Sequence, residues 1–145
     1  MTGLDARQIQ ERIPHRPPML LVDEVTEIDE ERLVAVRRFH ADEYFFQGHY
    51  PGQPIVPGVI LCESAMQAGA VLLSQFVEEK SDAVPVATRI DKVKFKRIVK
   101  PGDLLQHEIR LTEKLANAFF LTAKSTVDGQ LAVRFEFACA LADVE

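Results

Sequence analysis

The sequence predicts an α+β fold in which a curved antiparallel sheet wraps around one long central helix. From residue 58 to about residue 79 the only helix-breaking residue is Gly69, and apolar side chains cover almost the whole circumference of this helix. The second half of the chain is typical of successive strands. One flat sheet face cannot cover a helix that is apolar all round, so the sheet must curl around it or a second copy must cover its other side.

The long apolar helix is predicted to be buried rather than to span a membrane. Twenty-odd residues at ~1.5 Å rise each are long enough to cross a bilayer. However, no basic loop flanks the segment, and polar residues interrupt it. These polar residues are Glu63, Ser64, Gln67, Ser74 and Gln75.

The elements before this helix follow from local patterns. A short helix is predicted for residues 5–12 and ends before Pro14. Residues 19–28 and 32–40 are rich in β-branched and apolar side chains and are separated by an acidic triplet, which indicates a hairpin. Residues 44–57 contain five glycines and prolines, too many for a regular element, so this stretch is predicted to be a structured loop.

The strands after the helix are separated by turn signals. Residues 101–103, Pro-Gly-Asp, mark one turn, and the dipeptide at 128–129, Asp-Gly, is a strong two-residue hairpin signal. Along residues 105–112 the apolar residues and His107 alternate with polar ones, so His107 is predicted to pack in the core. The four predicted strands are residues 84–99, 104–115, 119–127 and 131–141.

Length and composition favour one domain over residues 1–145. The formal net charge of −5 argues against generic nucleic-acid binding, which depends on a basic surface. No Cys/His cluster has metal-ligand spacing, so no metal is expected, and Cys62 and Cys139 are interpreted as small buried residues in a reducing compartment. The N-terminal residues carry charges throughout and lack the apolar core of a secretory signal, so a cytoplasmic protein is expected.

The candidate chemistry lies around the Pro/Gly-rich loop, where His49 and Glu63 are fourteen positions apart. A histidine titrates near neutral pH, and a carboxylate on an apolar helix must be hydrogen-bonded, neutral or functional, because an unpaired buried charge is costly. The two are interpreted as an acid/base pair. Taken singly, a loop histidine bonded to its own backbone and a structurally paired carboxylate are the alternatives.

Motifs that span nearly the whole chain point to a family. They are Ile13-Pro14-His15-Arg16, Met19-Leu20-Leu21-Val22-Asp23, Phe46-Gln47-Gly48-His49-Tyr50-Pro51-Gly52, Pro57-Gly58-Val59, Ile90-Asp91-Lys92-Val93-Lys94-Phe95-Lys96 and Pro101-Gly102-Asp103. With these motifs the chain resembles the beta-hydroxyacyl-[acyl carrier protein] dehydratases of bacterial type II fatty acid synthesis, which have the hot-dog fold.

This resemblance implies that His49 and Glu63 are the catalytic pair. The implied reaction removes water from (3R)-3-hydroxyacyl chains to give trans-2-enoyl products without a cofactor, with His49 as the base at C2 and Glu63 donating a proton to the C3 hydroxyl. Members with glutamate mostly dehydrate, whereas the dehydratase/isomerase branch usually carries aspartate. Tyr50 replaces a more usual phenylalanine, and Val86 stands where some members place a tyrosine that gates the acyl tunnel, so the chain-length preference stays open.

Other residues acquire candidate roles from the same mechanism. The N–H groups of Gly58 and Val59 begin the helix without intrahelical partners and can donate to a developing oxyanion, although a plain turn glycine is the alternative. Gln67 lies one turn after Glu63 and either orients its carboxyl or faces a dimer partner. His15 is predicted to line the site entrance.

The implied partner is an acyl carrier protein, which is acidic, so docking on this acidic chain requires a local basic patch. Alternation predicts such a patch on one strand face, and a solvated face is the alternative. The lysines of this face are Lys92, Lys94 and Lys96, and Arg97 and Lys100 lie close by. The acyl tunnel is predicted to be lined by apolar residues, each of which is otherwise plain core. These are Met19, Leu21, Val59, Ile60, Phe95 and Ile98.

The resemblance further implies a homodimer, often assembled into a trimer of dimers, with His49 and Glu63 of one site on different chains. An all-round apolar helix also makes a stable monomer unexpected. Two other functions remain as alternatives: a thioesterase on the same fold, and a non-catalytic acyl-binding subunit. The first needs a positioned water, and the second would not need the acid/base pair.

Overall fold

The computed structural model describes residues 3–78 and 80–143 and confirms the predicted α+β architecture. It contains two α-helices, two short 3-10 helices and six strands. The helices are α1 (Ala6–Arg12) and α2 (Gly58–Leu73), the 3-10 helices are Tyr44–Phe46 and Ser74–Phe76, and the strands are β1 (Glu24–Ile28), β2 (Arg32–Arg38), β3 (Ala83–Phe95), β4 (Leu104–Leu115), β5 (Ala118–Val127) and β6 (Gln130–Asp143).

The six strands form one antiparallel sheet in the order β1-β2-β4-β5-β6-β3. Helix α2 contacts five of them, β2 to β6, because the sheet curves around it. The predicted hairpin between β5 and β6 is confirmed, and Asp128 and Gly129 both have the positive φ that its two-residue turn requires. Strands β1 and β3 form the edges of the sheet. This is the hot-dog fold.

Helix α2 forms the centre of the core. The segment Gly58–Phe76 has the length and apolar composition of a membrane span, but 61% of it is buried inside the protein, as in the core helix of a soluble protein. Gly69 brings the helix against β6, since a Cβ at this position would lie 2.6 Å from Cζ of Phe137. The glycine that interrupts the helical pattern therefore has a packing reason.

Four predicted boundaries are wrong. β3 ends at Phe95 rather than at residue 99. β1 begins at Glu24 rather than at residue 19, because the backbone N–H and C=O of Leu21 bond to side chains of α2 instead of a neighbouring strand. β2 ends at Arg38, which leaves His40 exposed beyond the strand. α2 ends at Leu73 and continues only as a 3-10 turn, while Glu79, the predicted end, lies outside the described residues.

Candidate active site

Glu63 is held in place by Gln67, one turn further along α2. Gln67 Nε2 donates to Glu63 Oε2 at 2.9 Å. The Gln67 side chain is only 1% exposed, donates to the Met19 carbonyl at 2.8 Å and accepts the Leu21 N–H at 2.7 Å. Only one orientation of the Gln67 amide lets its oxygen accept from Leu21 and its nitrogen donate to Met19. In this orientation the same nitrogen also donates to Glu63. The amide is therefore bonded within its own chain, and it orients the Glu63 carboxyl.

Ser64 connects the segment that precedes β1 to helix α2. Its hydroxyl donates to the Leu21 carbonyl at 2.7 Å, so both backbone groups of Leu21 bond to α2. Leu21 is fully buried, which is compatible with a tunnel wall or with core. Sequence reasoning missed Ser64 as a site residue. The available signal was its position three residues before Gln67 on an otherwise apolar helix.

His15 lies beside the carboxylate. Its Nε2 is 3.9 Å from Glu63 Oε2, and each of the two side chains is about one quarter exposed. Burial lowers the pKa of His15, and the negative charge of Glu63 opposes part of that shift. The predicted position at the site entrance is therefore close to the acid itself.

His49 lies in the loop before α2 and is held by one hydrogen bond, between its Nδ1 and the Ile55 carbonyl at 3.0 Å. A carbonyl only accepts, so Nδ1 carries the proton, and the Nε2 of the neutral ring has a free lone pair. The Tyr50 ring packs edge-on against the imidazole, with 4.8 Å between centroids. His49 is half-buried, whereas Tyr50 is exposed and adopts φ +56°.

His49 and Glu63 of one chain do not meet. Within the described residues, no hydrogen bond or ion pair joins them: His49 contacts Ile55, whereas Glu63 contacts Gln67 and His15. A single chain thus presents a candidate base and a candidate acid that have no direct polar contact, and we name their surroundings the loop half-site (His49) and the helix half-site (Glu63).

The N-terminus of α2 supplies free backbone donors. The first intrahelical bonds are donated by Ile60 and Leu61 to the Pro57 carbonyl, which leaves the N–H groups of Gly58 and Val59 without intrahelical acceptors. A Cβ on Gly58 would lie 2.8 Å from the ring of Phe95, so alanine here would require that exposed side chain to move. The sequence predicted free N–H donors at this position, and the structure adds this contact with β3.

Most of the predicted tunnel residues have apolar surface available. Leu21 is buried and Ile60 is half-buried. The other four are exposed, at 42% for Met19, 75% for Val59, 53% for Phe95 and 58% for Ile98.

The predicted lysine face is only partly formed. A β-bulge between Asp91 and Lys94, with Lys92 at φ +55°, breaks the alternation, and β3 ends at Phe95. Lys92 and Lys94 line a groove of about 560 Å³ on the sheet. Lys96 and Arg97 follow the strand, and both of their backbone N–H groups donate to Ala132. The prediction that three lysines alternate on one strand face is therefore wrong.

Two cations that the sequence analysis missed complete this groove. Lys94 lies directly opposite Arg134, which lies opposite Lys124, so the three form a row across β3, β6 and β5 that we name the cation row. Acidic side chains adjoin the row, since Glu108 lies opposite Lys124 and Glu136 pairs with Lys92 at 3.6 Å in the same groove. The hairpin register around residues 128–129 was the signal that could have paired Lys124 with Arg134.

The described ranges contain no group of three or more His, Cys, Asp or Glu side chains that could hold a metal ion.

The chain matches one known protein family over most of its length. A family model described as a FabA-like domain matches residues 13–136. The chain is 44% identical over 144 residues to the 3-hydroxyacyl-[acyl-carrier-protein] dehydratase FabZ of Staphylococcus carnosus (strain TM300), covering 99% of both chains. It is 43% identical over 145 residues to the protein of the same name from Anaeromyxobacter sp. (strain K), covering 98% of this chain and 93% of that one.

Solved structures share the fold at lower identity. A chain of the dehydratase heterocomplex ApeI:P from Xenorhabdus doucetiae matches with a TM-score of 0.79 and 15% identity, covering 92% of this chain and 90% of that chain. The PaaI protein of the phenylacetic acid degradation operon of E. coli matches with a TM-score of 0.64 and 17% identity, covering 80% of each. At these identities the likeness concerns the fold alone.

Proposed function

Because this chain belongs to the FabA-like family, we propose that it is a cytoplasmic 3-hydroxyacyl-[acyl carrier protein] dehydratase, a hydro-lyase of fatty acid biosynthesis. Its substrate is a (3R)-3-hydroxyacyl chain on acyl carrier protein, and its products are the trans-2-enoyl chain and water. One observation carries the proposal: His49 has a ring nitrogen free to accept a proton, and Glu63 has an oxygen that Gln67 leaves free to carry one.

The proposed mechanism follows from these two atoms. His49 Nε2 takes the proton from C2, and Glu63 gives its proton to the C3 hydroxyl, so the C3–O bond breaks as the C2–C3 double bond forms and water leaves. Because Gln67 donates to Oε2, the acidic proton belongs on Oε1. The N–H groups of Gly58 and Val59 donate to the thioester oxygen, where negative charge develops. Return of the proton from His49 to Glu63 resets the site.

The site is completed across a homodimer in this proposal, and the dimers associate further into a trimer of dimers. The separation of His49 from Glu63 within one chain supports the shared site. Strand β3 supports the dimer, because it is a 13-residue sheet edge with exposed apolar side chains, and such edges readily pair with another chain. These side chains are Val86, Ile90, Val93 and Phe95. The particle mass in analytical ultracentrifugation distinguishes monomer, dimer and hexamer.

The carrier protein docks on the cation row, together with the neighbouring Lys92, Lys96 and Arg97. Carrier proteins are acidic, and the row places three cations side by side on a chain whose net charge is −5. We expect Lys124→Glu to raise KM for carrier-bound substrate several-fold at low salt, and to leave KM for a small thioester substrate unchanged. Arg7→Glu, the same charge change on exposed α1, is the control. Equal effects of both variants would contradict docking at the row.

Conversion of 3-hydroxybutyryl carrier protein to the crotonyl form, followed by mass spectrometry, tests the function. We expect His49→Ala and Glu63→Gln each to lower kcat by about 10²–10⁴-fold while remaining folded by circular dichroism. Wild-type rates in either variant would refute the acid/base pair. Release of a free hydroxy acid by the wild type would favour a thioesterase, and binding of the acyl chain without turnover would favour an acyl-binding subunit.

A further inference from the structure

A buried histidine outside the proposed pair bridges the sheet to helix α2. His107 on β4 is completely buried, as the core prediction requires, but both of its ring nitrogens are hydrogen-bonded. Its Nε2 lies 2.7 Å from the Ser64 hydroxyl on α2, and its Nδ1 lies 2.6 Å from the Ser125 hydroxyl on β5. Ser64 and Ser125 are themselves fully buried, so this is a dry polar bridge.

The protons on this bridge have one consistent arrangement. Ser64 has a single hydroxyl proton, which it donates to the Leu21 carbonyl. Its oxygen must therefore accept from His107 Nε2–H, which leaves Nδ1 as the acceptor of the Ser125 hydroxyl proton. Burial lowers the pKa of His107 to about 3, which keeps the ring in this neutral form.

The bridge connects to the Glu63 carboxyl through a run of bonds in which each donor points the same way. Ser125 donates to His107, His107 donates to Ser64, and Ser64 donates to the Leu21 carbonyl. The Leu21 N–H then donates to Gln67, whose amide donates to Glu63. Ser64 and Gln67 thus hydrogen-bond to the carbonyl and the N–H of the same residue, Leu21. The rotation of α2 and the position of Leu21 are fixed together, and both determine where Glu63 points.

We propose that His107 is a positioning residue for the Glu63 carboxyl. It acts through Ser64 and Gln67 and touches no substrate, and the inference rests on the proposed dehydratase function. Without the bridge, Ser64 loses its donor and the grip on Leu21 loosens, so the Glu63 oxygen that carries the acidic proton moves away from the C3 hydroxyl. Misplacement of a catalytic group by about 1 Å can cost as much as ~10²-fold in rate.

Two substitutions of similar size separate positioning from packing. In His107→Gln the amide nitrogen takes the place of Nε2 and can still donate to Ser64. In His107→Asn the shorter amide takes the place of Nδ1 and reaches Ser125 only. We expect His107→Asn to lower kcat about 10–100-fold with KM unchanged, and His107→Gln to remain within about threefold of wild type.

A core variant provides the matched control. Ile109→Ala lies on the same strand and face as His107 and is equally buried, but it lies outside the hydrogen-bond run. It lowers the unfolding temperature, and we expect it to keep wild-type kcat when assayed well below that temperature. Should His107→Asn not fold, His107→Leu/Ser125→Ala replaces it, since removing both partners leaves no orphaned group between them.

The outcomes separate this inference from the proposed function. A wild type without dehydratase activity overturns both. If the wild type is active and Glu63→Gln is not, wild-type kcat in His107→Asn, or equal losses in the asparagine and glutamine variants, overturns positioning alone. In a Gln67→Leu background, His107→Asn should cause little further loss of kcat, because both act through one path. Fully multiplicative losses would count against that path.

Discussion

Glu63 and His49 differ in how firmly the surrounding residues hold their side chains. Glu63 lies on the central helix, and the amide that holds it is 1% exposed and makes two further bonds to the backbone of residues 19 and 21. His49 lies on an irregular loop, where one hydrogen bond to the Ile55 carbonyl and the edge-on Tyr50 ring hold its imidazole among the described residues. The buried interior of the chain orients the acid, whereas a partly exposed loop holds the base.

In the proposed dimer, this difference predicts which half-site the second chain completes. The Glu63 carboxyl is oriented by buried groups of its own chain. The His49 half-site adjoins exposed surface, because the Tyr50 ring that packs against the imidazole is 63% exposed. Exposed large apolar side chains beside a functional group mark an interaction surface. In the proposed dimer, we therefore expect the second subunit to cover the loop half-site rather than the helix half-site.

Mixed dimers test this division with the largest expected effect. His49→Ala and Glu63→Gln are each expected to be inactive as pure proteins. When the two are mixed and allowed to exchange subunits, one site of each mixed dimer combines an intact His49 with an intact Glu63. Random exchange makes about half of the dimers mixed, so we expect about a quarter of wild-type activity to return.

The control for subunit exchange is the double variant His49→Ala/Glu63→Gln mixed with either single variant. No intact pair can form there, so its activity should stay at the background level. If the first mixture also stays at background although mass spectrometry detects mixed dimers, the site lies within one chain and the comparison between the halves fails.

We expect low pH to decrease the stability of the folded protein through protonation of His107, which lies behind the helix half-site. The unfolded chain binds a proton at this residue near pH 6.5, whereas the folded chain does so only near pH 3, because burial disfavours the charged ring. Between these values the unfolded state holds more protons, so the free energy of unfolding falls as pH falls, in total by a few kcal/mol. Urea titrations from pH 7 to pH 4 measure this slope.

The comparison variant for that slope is His107→Gln, which cannot titrate. Carboxylates contribute to the acid limb of both proteins, so the informative quantity is the difference between their slopes. Wild type should lose stability faster than His107→Gln between pH 6.5 and pH 4. Parallel curves would mean that His107 titrates normally and that the bridge is open to water.

The sequence predicted the helix half-site better than its surroundings. The long apolar run without helix breakers placed α2, and one turn of spacing placed Gln67 beside Glu63. Local composition could not show that Leu21 is bound by two side chains of α2, since that contact joins residues more than forty positions apart. The predicted β1 therefore extended too far towards the N-terminus.

The prediction of the basic surface was wrong for a different reason. Alternation along β3 assumes an unbroken strand, and the bulge at Asp91 to Lys94 breaks it, so Lys96 does not continue the row. The partners of Lys94 come from β5 and β6, and only the pairing register of the sheet brings Lys124 and Arg134 beside it. Local patterns predict elements, but a surface made by three strands requires their register.

Substitution of two glycines of α2, Gly69 and Gly58, by alanine should give the smallest effects. The two stability changes compare the helix half-site with the loop end of the helix. Alanine in a helix is intrinsically favoured over glycine by about 1 kcal/mol in the helix interior. At Gly69 the new Cβ would meet Phe137, which is 2% exposed and enclosed by core. Overpacking of this kind costs about 1–3 kcal/mol, so Gly69→Ala should be neutral to destabilising by up to about 2 kcal/mol.

Gly58→Ala, the matched change at the loop end of the helix, should cost less. Its Cβ would meet the ring of Phe95, which is 53% exposed and free to swing away. In a dilute sample without a covering subunit, we expect a change in the free energy of unfolding within about 0.5 kcal/mol. If Gly58→Ala destabilises as much as Gly69→Ala, and does so more strongly as protein concentration rises, then Phe95 is pinned by a second chain, and the loop half is as rigid in the assembly as the helix half is alone.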